Sequence, residues 1–319
     1  MQRLPLDRRG FLAGSAALAG LGLSGTSMAA AAEPFFARHK LPVGIQLYTV
    51  GPDLAKDLDG TLGALAMMGY RSVELAGLAG RTPKEMRAAL DRAGLVCTSA
   101  HVQARGKDNS FEGDLGQLAD GLAIIGVKTA VMPSPYVPDR AVKAAAGASG
   151  ADYFAKAIGG LTADDWKFNA DYLNTKAKAL KASGIKVGYH NHNLEFAPMA
   201  GTTPMEILLK NTDPALVTFE ADVGWIAAAG VDPLAFIKAH KGRFTMMHVK
   251  DLKGDSAPNH ALKMDPTEIG SGKLDWKQLL AGGYAEGVRG FYVEQEPPFA
   301  RPRLEAAKIS YDYLASVKA

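Results

Sequence analysis

Short runs rich in β-branched and aromatic residues alternate with amphipathic stretches along most of the chain. VGIQLY (43–48), SVEL (72–75), LVCTSAH (95–101) and VKTAVM (127–132) have the length and content of buried strands. KVGYHNH (186–192), LVTFEAD (216–222), FTMMHVK (244–250) and GFYVEQE (290–296) continue the series. Helical spacing of apolar residues fills the intervals, over 56–69, 82–94, 114–126, 164–184, 203–211, 232–242, 275–283 and 305–318. Several of these segments open on Thr-Pro or Asp-Pro and several close on Gly, the residues that cap helices at either end.

Eight strands, each followed by a helix, predict a parallel sheet, and eight is the number that closes a (β/α)8 TIM barrel. An open doubly wound sheet would place a glycine-rich phosphate loop after its first strand, and QLYTVGPDL stands there instead. No linker interrupts the rhythm, so one domain is expected over 33–319. The connection from about Ser134 to Thr162 is long for this architecture and is expected to be a lid or substrate loop.

Length and composition agree, with 319 residues, 47% of them hydrophobic and 22% charged. A single α/β barrel takes about 250 residues. The first 32 residues stand apart: Arg8-Arg9 precedes a short run of Ala, Gly and Leu, then small residues suited to cleavage near Ala30–Ala32. This resembles a twin-arginine signal, implying a periplasmic or secreted protein with no stable membrane insertion once the signal is removed. Removing 1–32 takes away Arg3, Arg8 and Arg9 against Asp7, lowering the formal charge from +3 to +1. A near-neutral surface with no basic tract gives no footprint for nucleic acid. Cys97 is the single cysteine, so no intrachain disulfide is expected and the thiol reads as a small buried hydrophobe.

In such a barrel the chemistry sits where the strands end. Four of the seven histidines fall there, together with Gln46, Glu74, Tyr136, Glu220, Asp222, Lys250, Glu294 and Glu296. Buried carboxylates and imidazoles need partners, and several converging on one mouth can share a cation. The pairs His190/His192 and Glu294/Glu296 are spaced to share one face of a strand. The first member of each is expected to lie deeper.

GYRSVELAG, FEADVGWIAAAG, MMHVKDL and GFYVEQEP, in that order, resemble the xylose isomerase-like TIM barrels of the sugar phosphate isomerase/epimerase group. The resemblance spans the mature chain. It implies one divalent cation (Mn, Mg, Co, Zn or Fe) held by residues from strands five to eight. Asp222, His248 and Glu294 match three of those places. The fourth is usually a glutamate in a Glu-Asn-His phrase, and this chain has His190-Asn191-His192 there, making His190 the implied fourth ligand. Trp225 likewise stands where a substrate-contacting histidine is common.

The resemblance implies proton abstraction next to the carbonyl of a sugar or keto-sugar through an enediolate, giving an isomer or epimer. Expulsion of a β-substituent from the same intermediate would make the enzyme a lyase or hydratase on keto-sugars or keto-glycosides. A non-catalytic periplasmic sugar-binding protein is a third reading. Glu294 and His101 are the expected catalytic groups. Gln46, Glu74, Tyr136, His192, Trp225, Lys250 and Glu296 are the expected contacts to a small carbohydrate. No Arg/Lys cluster offers a phosphate clamp.

Overall fold

A computed structural model describes residues 33–107 and 109–319; the paired-arginine segment lies outside the described residues. All eight expected strands form: β1 (Gly44–Gln46), β2 (Ser72–Leu75), β3 (Val96–His101), β4 (Thr129–Met132), β5 (Lys186–His190), β6 (Val217–Asp222), β7 (Phe244–Val249) and, in eighth place, Gly290–Val293. A two-stranded hairpin, β8 (Asp251–Leu252) with β9 (Pro266–Thr267), intervenes, so the eighth barrel strand is β10. The eight pair in parallel around a closed ring, β10 bonding to both β1 and β7. This is the expected single-domain TIM barrel.

Local chemistry sets the boundaries. Thr82 and Thr162 close capping boxes with Glu85 and Asp165, and Pro83, Pro204 and Pro233 open their helices where a missing N–H costs nothing. The helix expected over 56–69 forms as Leu58–Met68, and a short helix Gly51–Lys56 not expected from the sequence precedes it. Asp57 breaks the run and caps the second helix by accepting from Gly60 N. The long connection after β4 is not open loop: it folds into helices Asp139–Ala144 and Gly150–Gly159 before the main helix Ala163–Leu180 begins. Cys97 is buried, as expected.

The main core lies between the strands and the surrounding helices. Inside the ring, Val131, Met246 and Tyr292 form a separate apolar plug. Gly44 makes room for it, since a Cβ there would stand 2.6 Å from the Tyr292 ring. Above the plug the interior turns polar. Two irregularities in the ladder help aim that layer. The register slips between Val73 and Glu74, leaving Thr98 of β3 without a counterpart, and between Phe219 and Glu220, leaving Thr245 of β7 without one. Such bulges re-aim side chains, and each precedes a carboxylate of the site.

Candidate metal centre

Glu74 anchors the polar layer. It is fully buried and accepts from Gln46 Nε2 at 2.7 Å, from Ser99 Oγ, and from His248 Nε2 at 2.7 Å. His101 Nε2 lies 3.2 Å from both Glu74 and Glu220. A carboxylate that only accepts fixes the Nε2 proton of His248 and turns its Nδ1 toward Glu294 Oε2 at 2.9 Å and Asp222 Oδ2 at 3.7 Å.

His190 is oriented in the same way. Its Nδ1 is 3.2 Å from Glu220 Oε2 and its Nε2 faces Asp222 Oδ2 at 3.9 Å. Burial, reinforced by His248, His192 and His101, holds His190 well below the ordinary imidazole range, so it stays neutral. A neutral ring with a lone pair aimed at carboxylates is the state a metal ligand requires. Asn191 braces the neighbouring strand, accepting from Asp222 N at 3.1 Å and donating to Asp222 O at 3.3 Å. Asp222 caps the helix Val223–Ala228 through Oδ1, which leaves Oδ2 for the site.

The ligand atoms of His190, Asp222, His248 and Glu294 all lie within 4.8 Å of one another. The four residues expected to converge do so. An overlapping set of His101, His190, Glu220 and His248 meets the same limit. Glu220 had no role assigned from the sequence. Its spacing of two from Asp222 on one strand was the available signal, because it puts both on the inner face.

Charge counting supports a fit to a cation. Glu74, Glu220, Asp222 and Glu294 are buried carboxylates, and Lys250 is the one side chain among them whose charge needs no titration. Glu220 Oε1 is buried without a hydrogen-bond partner, and Asp222 Oδ2 has the Lys250 ammonium, which Glu294 and Glu296 share. An anion surplus around one ammonium is costly unless a cation enters or imidazoles take protons. Burial opposes protonation of His101, but Glu74 and Glu220 outweigh it and raise the ring to about 9. His248 is likewise raised, against its burial, by Glu220 and Glu294. Glu294 is pulled well down despite burial, by Lys250 and His248.

A cavity of about 440 Å³ opens over this layer, lined by His101, His190, His192, Trp225, Glu294 and Glu296 among others. Four expected substrate contacts do not line it. Gln46 and Glu74 are spent on each other and on the ring of His248 beneath the cavity floor. Tyr136 packs outward on Phe168 and Tyr172, its amide donating to Asn169. Lys250 is fully buried; its Nζ sits 2.7 Å from Asp222 Oδ2, 2.8 Å from Glu294 Oε2 and 2.5 Å from Glu296 Oε1. Burial opposes its charge, yet those three carboxylates raise it well above the ordinary lysine value. It does not pair with Asp251, whose carboxylate accepts from Gly270, Gly272 and Trp276 Nε1 around the β8–β9 hairpin. Glu195 is buried and accepts from Tyr189 Oη and His192 N. His192 and Trp225 do line the cavity, and the Trp225 indole donates to Glu296 at 2.9 Å.

A model of the family described as xylose isomerase-like TIM barrel matches residues 62–317. Inosose dehydratase from Lactiplantibacillus plantarum is 31% identical over 167 residues, covering 48% of this chain and 55% of that protein. The Geobacillus thermodenitrificans inosose dehydratase is 26% identical over 155 residues, covering 44% and 51%. The chain thus spans about half the length of the curated relatives it matches. A solved sugar phosphate isomerase/epimerase from Parabacteroides distasonis superimposes with a TM-score of 0.69 at 27% identity, over 86% of this chain and 93% of that one.

Proposed function

The chain belongs to the xylose isomerase-like TIM barrel family, and on that premise we propose that it is a metal-dependent enzyme removing the proton next to the carbonyl of a keto-sugar. The observation that carries the reading is the convergence of His190, Asp222, His248 and Glu294 within 4.8 Å beneath the cavity. These four would hold one divalent cation of the Mn, Mg, Co, Zn or Fe group. When bound, such an ion draws charge from a carbonyl oxygen and so acidifies the neighbouring C–H.

The chain's own groups divide the remaining work. Glu74 and Glu220 hold the two ligand imidazoles in register. Glu294, held well below the ordinary carboxylate range against its burial by Lys250 and His248, suits a ligand better than a base. Glu296 lines the cavity wall and belongs to neither ligand set; Lys250 and the Trp225 indole hold its Oε1, which leaves Oε2 as the carboxylate oxygen for taking the proton. His101, on the same wall, is placed to hand a proton on.

Returning the proton to carbon gives an isomer or epimer. Elimination is the second reading, and His190 favours it. Strand five contributes an imidazole there, so the site lacks one of the two carboxylates that would exchange protons across a ring. The dehydratase names of the sequence relatives point the same way. The paired arginines at 8 and 9 extend the proposal to twin-arginine export and a periplasmic or secreted location.

Incubating the protein with keto-sugars in deuterium oxide, with Mn²⁺ or with EDTA, tests this by NMR. Metal-dependent deuterium uptake next to the carbonyl is expected, with loss of water or aglycone if elimination follows. Glu294→Gln should abolish uptake while circular dichroism stays unchanged. Absence of stoichiometric metal binding together with absence of exchange overturns the reading.

A further inference from the structure

The cavity lining is chemically mixed, and its parts come from different places in the fold. His101, His190 and Glu294 come from the strand ends, with His192 and Glu296 two residues further on, whereas the apolar Ala151, Phe154, Ile158 and Leu262 come from segments outside the barrel. Two separate excursions from the barrel build that apolar wall. The helix Gly150–Gly159 packs on the turn Leu194–Phe196 and presents Phe154 and Ile158. The loop between β8 and β9 presents Leu262, whose N–H donates to Asn193 Oδ1 while Asn193 Nδ2 donates to Asn259. Both therefore dock on the segment that follows His192.

Leu262 has φ of +53°, a left-handed conformation that a branched apolar residue rarely adopts. Asn193 and Asn259 hold it there, with its side chain on the cavity wall. Phe154 is half exposed at 50%, one of few large apolar side chains left so open among the described residues. A bare keto-sugar has an oxygen on nearly every carbon. Against this wall some of those oxygens would lose water without gaining a partner.

We propose that the substrate is a keto-glycoside whose apolar, preferably aromatic, aglycone lies against Leu262, Phe154 and Ile158 while its sugar ring meets the polar floor. The inference deepens the proposed keto-sugar chemistry and rests on it for the position of the ring. An aromatic substituent would cover Phe154 and use the surface that Leu262 is held to present. A membrane or protein partner fits less well, because the wall lies inside a concave cavity continuous with the candidate metal centre.

Titration calorimetry of the Mn²⁺-loaded protein with phenyl and methyl β-glucoside, galactoside, mannoside and xyloside tests this without requiring turnover. At least one phenyl glycoside should bind tenfold or more tightly than its methyl counterpart. Phe154→Ala and Leu262→Gly should each shrink that ratio three- to tenfold and leave the methyl glycoside within twofold. Glycine accepts the backbone angle at 262, so the second variant keeps the fold. No phenyl preference in any pair, or a preference that both variants leave intact, overturns the inference. The deuterium experiment separates it from the underlying chemistry. Phenyl preference without exchange keeps the aglycone wall and sinks the keto-sugar reaction; exchange without phenyl preference does the reverse.

Discussion

Replacing Lys250 by Met removes a buried ammonium and keeps most of the side-chain volume. Its Nζ lies within 2.8 Å of Asp222, Glu294 and Glu296, and two of the three oxygens it touches belong to the expected ligand residues. Stripping one partner from a buried ion pair costs about 3–5 kcal/mol, because the other charge stays behind uncompensated. In a fold of this size each kcal/mol moves the melting temperature by roughly 2–4 °C, so a fall of about 10 °C in EDTA is expected. A divalent ion on the same oxygens replaces the missing charge. Mn²⁺ stabilises both proteins, so the deficit shrinks only by the ratio of their affinities, about 1.4 kcal/mol for each tenfold. Calorimetry should show the variant binding Mn²⁺ tenfold or more tightly than the parent, and the deficit should be smaller in saturating Mn²⁺ by the corresponding amount. Differential scanning fluorimetry of both proteins under both conditions reads this directly. An equal deficit in EDTA and Mn²⁺ would mean that ammonium and metal do not share those carboxylates, and the candidate centre would be misplaced.

Glu74→Gln keeps an acceptor for His248 but removes the charge behind it, and should weaken Mn²⁺ binding by about 10–100-fold with the fold intact; affinity within twofold of the parent would refute the orienting role. The raised His101 predicts a pH dependence for the metal-free protein. Its folded value of about 9 exceeds the ordinary imidazole value of 6.5, so the stabilisation is full below the lower figure and lost as pH rises through the upper one. Melting temperature in EDTA should fall across that window, and a flat profile would count against the Glu74–His101–Glu220 pairing. Lysine at both Arg8 and Arg9 should leave the precursor unprocessed in the cytoplasm if the twin-arginine route is used; normal processing, followed by fractionation and immunoblotting, would exclude it.

The barrel was readable because short buried runs such as LVTFEAD stand out by length and by β-branched and aromatic content, and because Thr-Pro and Gly mark the helix ends. The four expected ligands converge because their places at strand ends follow from the topology alone. What lay beyond reach depends on contacts between distant segments. Gln46 and Glu74 have the placement of substrate contacts, but the Glu74 carboxylate is claimed by Gln46, Ser99 and His248 from three other strands. Lys250 follows a strand end as a substrate-binding lysine would. Its burial depends on Gly224, where a Cβ would come within 2.7 Å of the lysine stem, a packing relation no linear pattern displays. The two small helices after β4, of six and ten residues, were hidden because AAGAS (145–149) separates them before either repeats its apolar spacing over several turns.

The surplus of buried negative charge also bears on which element a preparation will contain. Imidazole and carboxylate donors together discriminate poorly among first-row divalent ions, whose intrinsic affinities rise toward copper. The pocket asks for a charge and leaves the choice of element to supply. Purified samples should then carry whatever the growth medium and the affinity resin delivered, and mismetallation would pass for an inactive protein until the occupant is exchanged.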